Sequence, residues 1–208
     1  MSQSGLGDMS QYLASTEYID WKDRAVEARA KKLSSGVSNP ETIAQHCFEF
    51  VRDDIKHSWD AMLNPVTYKA SDVLKYGTGY CYAKSHLLAA LLRANNIPAG
   101  LCYQRLTVSD DSSFCLHGLN AVYLESCGWY RVDARGNKQG VLAEFCPPIE
   151  KLAFSLIHEG EADLPEVWAE PLSLVIQALT QNKTVQEVAV NLPDIELIPV
   201  GRRHSAKI

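Results

Sequence analysis

The sequence predicts an α+β fold in which one central helix packs on an antiparallel sheet, and three observations carry that expectation. From Cys81 to about Asn95 the chain has helical composition, with Leu87, Leu88, Leu91 and Leu92 as a buried stripe. Three strand-like segments follow, 99–107, 116–124 and 129–134. The last two are joined by a short connection ending at Gly128, which makes them an antiparallel hairpin.

The other elements follow from local signals. Residues 1–16 are rich in Ser, Gly and Gln and read as loose, whereas 17–33 has helical composition with Ile19, Val26, Ala30 and Leu33 facing inward. Ser34-Ser35-Gly36 breaks that helix. Asn39 then caps a second one, whose first turn holds Pro40 and Glu41 and whose apolar face is Ile43, Ala44, Cys47, Phe48, Val51 and Ile55. Ser71 is placed to cap a short turn over 72–76, ahead of Gly77-Thr78-Gly79-Tyr80. Beyond Gly136 the pattern supports a helix around 166–180 and a strand or helix within 184–198. No repeat, low-complexity tract or linker divides the 208 residues, so one domain is expected, with its core over about 40–137 and elaborations at both ends.

Composition narrows the function. With 46% hydrophobic and 22% charged residues, the chain has enough apolar material for one well-buried core. The net charge is -5, and the concentrated basic stretch is Gly201 to Ile208, so nucleic acid is not an expected partner. No apolar run approaches the ~20 residues that cross a bilayer, and the first residues lack a signal-peptide pattern, so a cytoplasmic protein without membrane contact is expected. Cys47, Cys81, Cys102, Cys115, Cys127 and Cys146 are expected to stay reduced there, and none form Cys-x-x-Cys. A zinc site drawn from His46, Cys47, Cys115 and His117 lacks regular spacing, and neither metal nor cofactor is expected.

The chemistry lies in three positions. Cys81 opens the central helix, where unpaired N–H groups create positive potential that favours a thiolate, and its own N–H can help hold an oxyanion. Gly77 and Gly79 upstream would let the backbone approach a substrate. His117 begins one strand of the hairpin and Asp133 ends the other, so antiparallel pairing brings their ends together. A loop centred between Glu125 and Gly128 sets His117 opposite a residue near 136, so their contact requires a bulge or a shifted turn. Singly, such residues read as a packed cysteine, a hydrogen-bonded histidine and a turn-capping carboxylate. Together they form a nucleophile, a general base and an orienting carboxylate. His57, His86 and His158 read as ordinary surface or hydrogen-bonded histidines, and His86 lies about 140° around the helix from Cys81.

Three blocks resemble the transglutaminase-like superfamily: Gly79-Tyr80-Cys81-Tyr82-Ala83-Lys84 running through the leucine-rich helix into Asn96-Ile97-Pro98-Ala99, His117-Gly118-Leu119-Asn120-Ala121-Val122, and Trp129-Tyr130-Arg131-Val132-Asp133. An upstream Val51-Arg52-Asp53-Asp54-Ile55 is also similar. Leu119 and Asn120 depart from the Trp and Glu common in the family, so substrate preference is not carried over. The resemblance implies a papain-like core and acyl transfer through a thioester at Cys81, with a peptide or protein amide as donor. It also implies an upstream side chain as second oxyanion donor, for which Trp59 is the candidate and Tyr76 the alternative. Hydrolysis as a cysteine protease or amidase is the leading expectation. Transamidation, for which no calcium loop of the Asp-x-Asp-x-Asp-Gly type is present, and a catalytically silent interaction module are the alternatives. The loops 58–70, 107–115 and 136–150 are expected to shape the cleft.

Overall fold

The computed structural model describes residues 9–108 and 113–196. The first eight residues, the basic stretch from Gly201 to Ile208 and the end of the expected 184–198 segment lie outside the described residues.

The N-terminal half is helical. Helix α1 (Arg24–Leu33) is shorter than the composition of 17–33 suggests, because the Asp23 carboxylate accepts from the N–H groups of Ala25 (2.9 Å) and Val26 (3.3 Å) and fixes the start there. Helix α2 (Pro40–Asp54) begins as expected, with Asn39 Oδ1 accepting from Glu41 N at 2.8 Å and Thr42 N at 3.2 Å. It buries Ile43, Ala44, Cys47, Phe48 and Val51. Strand β1 (Lys56–His57) and helix α3 (Ser58–Ala61) lead to α4 (Ala70–Tyr76). Ser71 does not cap α4; its hydroxyl donates to Asp20 Oδ2 at 2.6 Å and ties the helix to the turn before α1. Strand β2 (Thr78–Gly79) pairs in parallel with β1.

Helix α5 (Cys81–Ala94) is the centre of the fold. The expected leucine stripe is only part of its buried surface, since every residue from Cys81 to Arg93 is buried. Helices α1, α2 and α4 and the sheet contact it from different sides. Its polar residues are therefore sealed inside and need partners there. Arg93 donates to the carbonyls of Ala14, Ala99 and Ala169, and His86 Nδ1 meets Tyr68 O at 2.7 Å. Lys84 Nζ donates to Ile55 O at 2.5 Å, just past the end of α2.

The sheet has the order β5-β4-β3-β6, all neighbours antiparallel: β3 (Ala99–Thr107), β4 (Phe114–Leu124), β5 (Gly128–Val132) and β6 (Ala162–Asp163). Gly118 and Asn120 face α5: Asn120 Nδ2 donates to Ser85 O at 2.9 Å. The alternate residues, His117, Leu119 and Ala121, face the other way. There Leu119 and Ala121 form a second small core with Cys102 under Trp129, Leu152 and Val167. Helices α6 (Ser173–Gln181) and α7 (Val185–Val190) close the C-terminal part; the start of the 184–198 segment forms α7, where Thr184 and Glu187 make a capping box.

Helix and sheet approach most closely at Gly118. A Cβ there would lie 2.9 Å from Tyr82 Cδ1 and 3.0 Å from Tyr82 Cα, the second being backbone that cannot swing aside. Gly118→Ala is expected to lower stability by about 1–3 kcal/mol, the usual cost of overpacking a tight contact. Urea denaturation of the variant against wild type measures it.

Candidate active site

The start of α5 and the exposed edge of β4 meet at the floor of a cleft of about 630 Å³, bordered by His57, Trp59, Cys81, His117 and Phe154 among others. Tyr80 is the N-cap of α5, so Cys81 occupies its first turn, where backbone N–H groups have no intrahelical acceptor. Gly77 ends α4 in the left-handed region (φ 66°), and a Cβ on Gly79 would press on Ala83 Cβ at 3.1 Å.

Strand β5 ends at Val132, opposite Asn120, leaving this side of β4 without a partner strand at Gly118. The Gly118 N–H instead donates to Cys81 Sγ at 3.5 Å. A strand N–H lies in the plane of its sheet, so the sulfur sits level with the sheet edge, where His117 can reach it from the face opposite α5. Charge and a hydrogen bond from Cys81 both act on His117. The other ring nitrogen, Nε2, lies 2.7 Å from Asp133 Oδ2.

No bulge is needed for that contact. The register runs without interruption from Leu124↔Gly128 to Asn120↔Val132. Continued one step, it sets Asp133 opposite Leu119, on the same face as His117 and diagonal to it, within side-chain reach. Asp133 has no solvent exposure. Besides His117, its carboxylate accepts from Arg135 N (3.0 Å) and Ala153 N (3.1 Å). The Phe154 ring stands edge-on over His117 at 4.9 Å and shields the pair.

These surroundings explain the protonation of the pair. Burial alone would push the His117 pKa down, but the charge of Asp133, then the charge of Cys81 and hydrogen bonds from both, raise it to about 10. Burial likewise opposes ionisation of Asp133, and the charge of His117 with the three hydrogen bonds outweighs it and holds the carboxyl below its ordinary value. Lys84, one turn beyond Cys81 and fully buried, is pushed down to about 7 by desolvation and the charge of Arg135.

Sequence reasoning missed two features. His57, read from the sequence as an ordinary surface or hydrogen-bonded histidine, borders the cleft with its side chain only 9% exposed. The segment after Asp133 also carried no legible job, yet Ala153 and Phe154 support the His117–Asp133 pair, and Ile157, His158, Glu161, Ala189 and Leu192 border the cleft. Trp59 lies on the rim, 43% exposed, and Tyr76 is outside the cleft. Parts of the loops 58–70, 107–115 and 136–150 do border it, through Trp59, Val108, Cys115 and Lys138.

Comparison with known proteins agrees with this geometry. The family described as the transglutaminase-like superfamily matches residues 27–134, just over half of the chain. The protein belongs to the transglutaminase-like superfamily. Among solved structures, a "putative cysteine protease" from Cytophaga hutchinsonii is 20% identical with a TM-score of 0.52, over 64% of this chain and 43% of that one. The periplasmic domain of TgpA from Pseudomonas aeruginosa is 18% identical with a TM-score of 0.47, over 64% of this chain and 49% of that one. This transglutaminase-like chain thus aligns with under half the length of either, and the likeness to the first is one of fold. No curated protein matches it. Among the described residues no helix is long and apolar enough to cross a membrane.

The raised His117 pKa has a stability consequence with a definite sign. A pair whose histidine titrates at about 10 instead of its ordinary 6.5 stabilises the fold fully below pH 6.5 and ceases to do so as pH rises through 10. At the acid end the Asp133 contribution, present above its ordinary 3.8, is lost as pH falls through its lowered value. The stability difference between wild type and His117→Gln, measured by urea denaturation, is expected to shrink steadily between pH 7 and 10.5.

Proposed function

We propose that this transglutaminase-like protein is a thiol-dependent acyl-transfer enzyme that hydrolyses peptide or amide bonds, with Cys81 as nucleophile, His117 as general acid and base, and Asp133 as the carboxylate that orients it. The observation that carries the reading is the single hydrogen-bonded chain from Asp133 to His117 to the thiol at the head of α5, within a cleft. The Cys81 sulfur adds to the substrate carbonyl carbon while His117 holds the proton on Nδ1, the nitrogen not engaged by Asp133. Collapse of the tetrahedral adduct breaks the C–N bond, and His117 returns the proton to the leaving amine. Water, deprotonated by the same imidazole, then cleaves the thioester and restores the thiol.

Water is favoured over an amine as the acceptor by the charges on the cleft wall. The carboxylate among its described lining residues is Glu161, and its oxygens already accept from Thr107 N, Thr107 Oγ1, Ile157 N and His158 N. Lys138 and Arg135, also on the wall, would repel an ammonium. A polypeptide fits the cleft's size and its exposed apolar rim, where Trp59, Val108 and Ile157 are 43%, 49% and 78% exposed. Six free cysteines support a reducing compartment such as the cytoplasm.

The deciding test is alkylation of Cys81 by iodoacetamide, followed across pH by mass spectrometry. Wild type is expected to react readily at pH 6–7, and His117→Ala to lose about tenfold or more at those pH values while converging with wild type above pH 9. Equal rates in both proteins across the range would sink the reading.

A further inference from the structure

His57 is a nearly buried polar side chain of the cleft that the proposed triad leaves unused. Its strand pairs in parallel with the residues just before the nucleophile, Lys56 with Thr78 and His57 with Gly79. Backbone hydrogen bonds therefore fix His57 beside the start of α5, and the Tyr80 ring braces it edge-on at 5.6 Å. Its side chain is 9% exposed. Nδ1 is sealed from solvent without a hydrogen-bond partner and lies 3.8 Å from Asp60 Oδ2. Both Asp60 oxygens are already engaged: Oδ2 accepts from Arg135 Nη1 at 2.6 Å, and Oδ1 from Arg135 Nη2 at 3.1 Å and Lys138 Nζ at 2.7 Å.

Asp60 borders a separate, smaller pocket behind His57, so the ring nitrogen on the cleft side is Nε2, facing the space shared with Cys81 and His117. Burial first, then the charge of Arg135, pushes the His57 pKa down to about 3, and the ring stays neutral wherever His117 is active. A neutral ring with Nδ1 unclaimed can carry its one proton on Nε2. Trp59, the donor expected from the sequence, stands farther out on the rim, and its indole N–H has no hydrogen bond among the described residues.

We propose that His57, through Nε2–H and together with the backbone N–H of Cys81, binds the substrate carbonyl oxygen as it becomes the tetrahedral oxyanion. The proposal rests on the acyl-transfer reading and adds to Cys81 and His117 a third side chain that touches the reacting atoms. When sulfur adds to the carbonyl carbon, the C–S bond forms and the C=O π pair moves onto oxygen, where the two N–H groups receive it. Collapse re-forms the C=O and expels the leaving group, protonated by His117. His57 keeps its proton throughout and acts as a fixed dipole aimed at the developing charge.

Two reagents separate this role from its alternatives. p-Nitrophenyl acetate acylates Cys81 through an oxyanion and releases p-nitrophenolate; iodoacetamide alkylates the same sulfur by displacement, without one. In His57→Ala, acylation is expected to fall by about 10²-fold, while alkylation keeps the wild-type rate and pH profile. His57→Gln, whose amide N–H can still donate, is expected to recover part of the loss. Undiminished acylation in His57→Ala would overturn the proposal, as would equal losses of acylation and alkylation in both His57 variants, which would make His57 structural. A wild-type Cys81 inert to both reagents would remove the acyl-transfer reading itself, and the role of His57 with it.

Discussion

The rest of the structure depends on the complete burial of α5. A helix covered on all sides cannot rely on solvent for any polar group, and α5 carries Lys84, Ser85, His86 and Arg93 inward. Each bonds a backbone carbonyl, and for Lys84, His86 and Arg93 that carbonyl lies on a neighbouring segment. Burial therefore also sets direction. The apolar residues hold the helix in the core, while the polar ones fix its rotation and axial position against α2, the strand at Ala99 and the C-terminal segment at Ala169. The placement of Cys81 is a result of that clamping, because an axial slip of one residue (1.5 Å) would break several buried hydrogen bonds together.

Arg135 extends the same logic to the charges. Its backbone N–H supports Asp133 and its guanidinium engages Asp60, so one residue joins the carboxylate beneath His117 to the carboxylate behind His57. After burial itself, its positive charge is the next largest influence lowering the pKa of His57 and of Lys84. The cleft thus holds histidines in contrasting states: His117 gains a proton because the Asp133 carboxylate faces it, and His57 stays neutral because burial and then the charge of Arg135 outweigh the charge of Asp60.

The sequence made the centre of the fold legible because periodicity and capping act locally. The Asn39 cap, the helix opening at Cys81 and the hairpin at Gly128 each depend on neighbours a few residues away. The meeting of His117 and Asp133 was legible from strand order, but its diagonal geometry was not, since one residue of register decides whether a bulge is required. Ser71 looked like a cap and instead binds Asp20, a partner 51 positions away that no local rule supplies. His57 was illegible for a similar reason: its burial depends on a two-residue strand too short to show any period. The C-terminal contribution was hidden because Ala153 acts through its backbone N–H, which every residue except proline has.

That last contact moves the boundary of the functional unit. The family match ends at residue 134 and includes Cys81, His117 and Asp133, so by alignment the machinery looks complete. A chain cut there would lose two of the three donors that keep Asp133 ionised, the N–H groups of Arg135 and Ala153, together with the aromatic cover over His117 and the acceptor carbonyl at Ala169 that locks the far end of α5. Residues beyond the matched region are thus where this chain can adjust the protonation of the His117–Asp133 pair without altering either side chain.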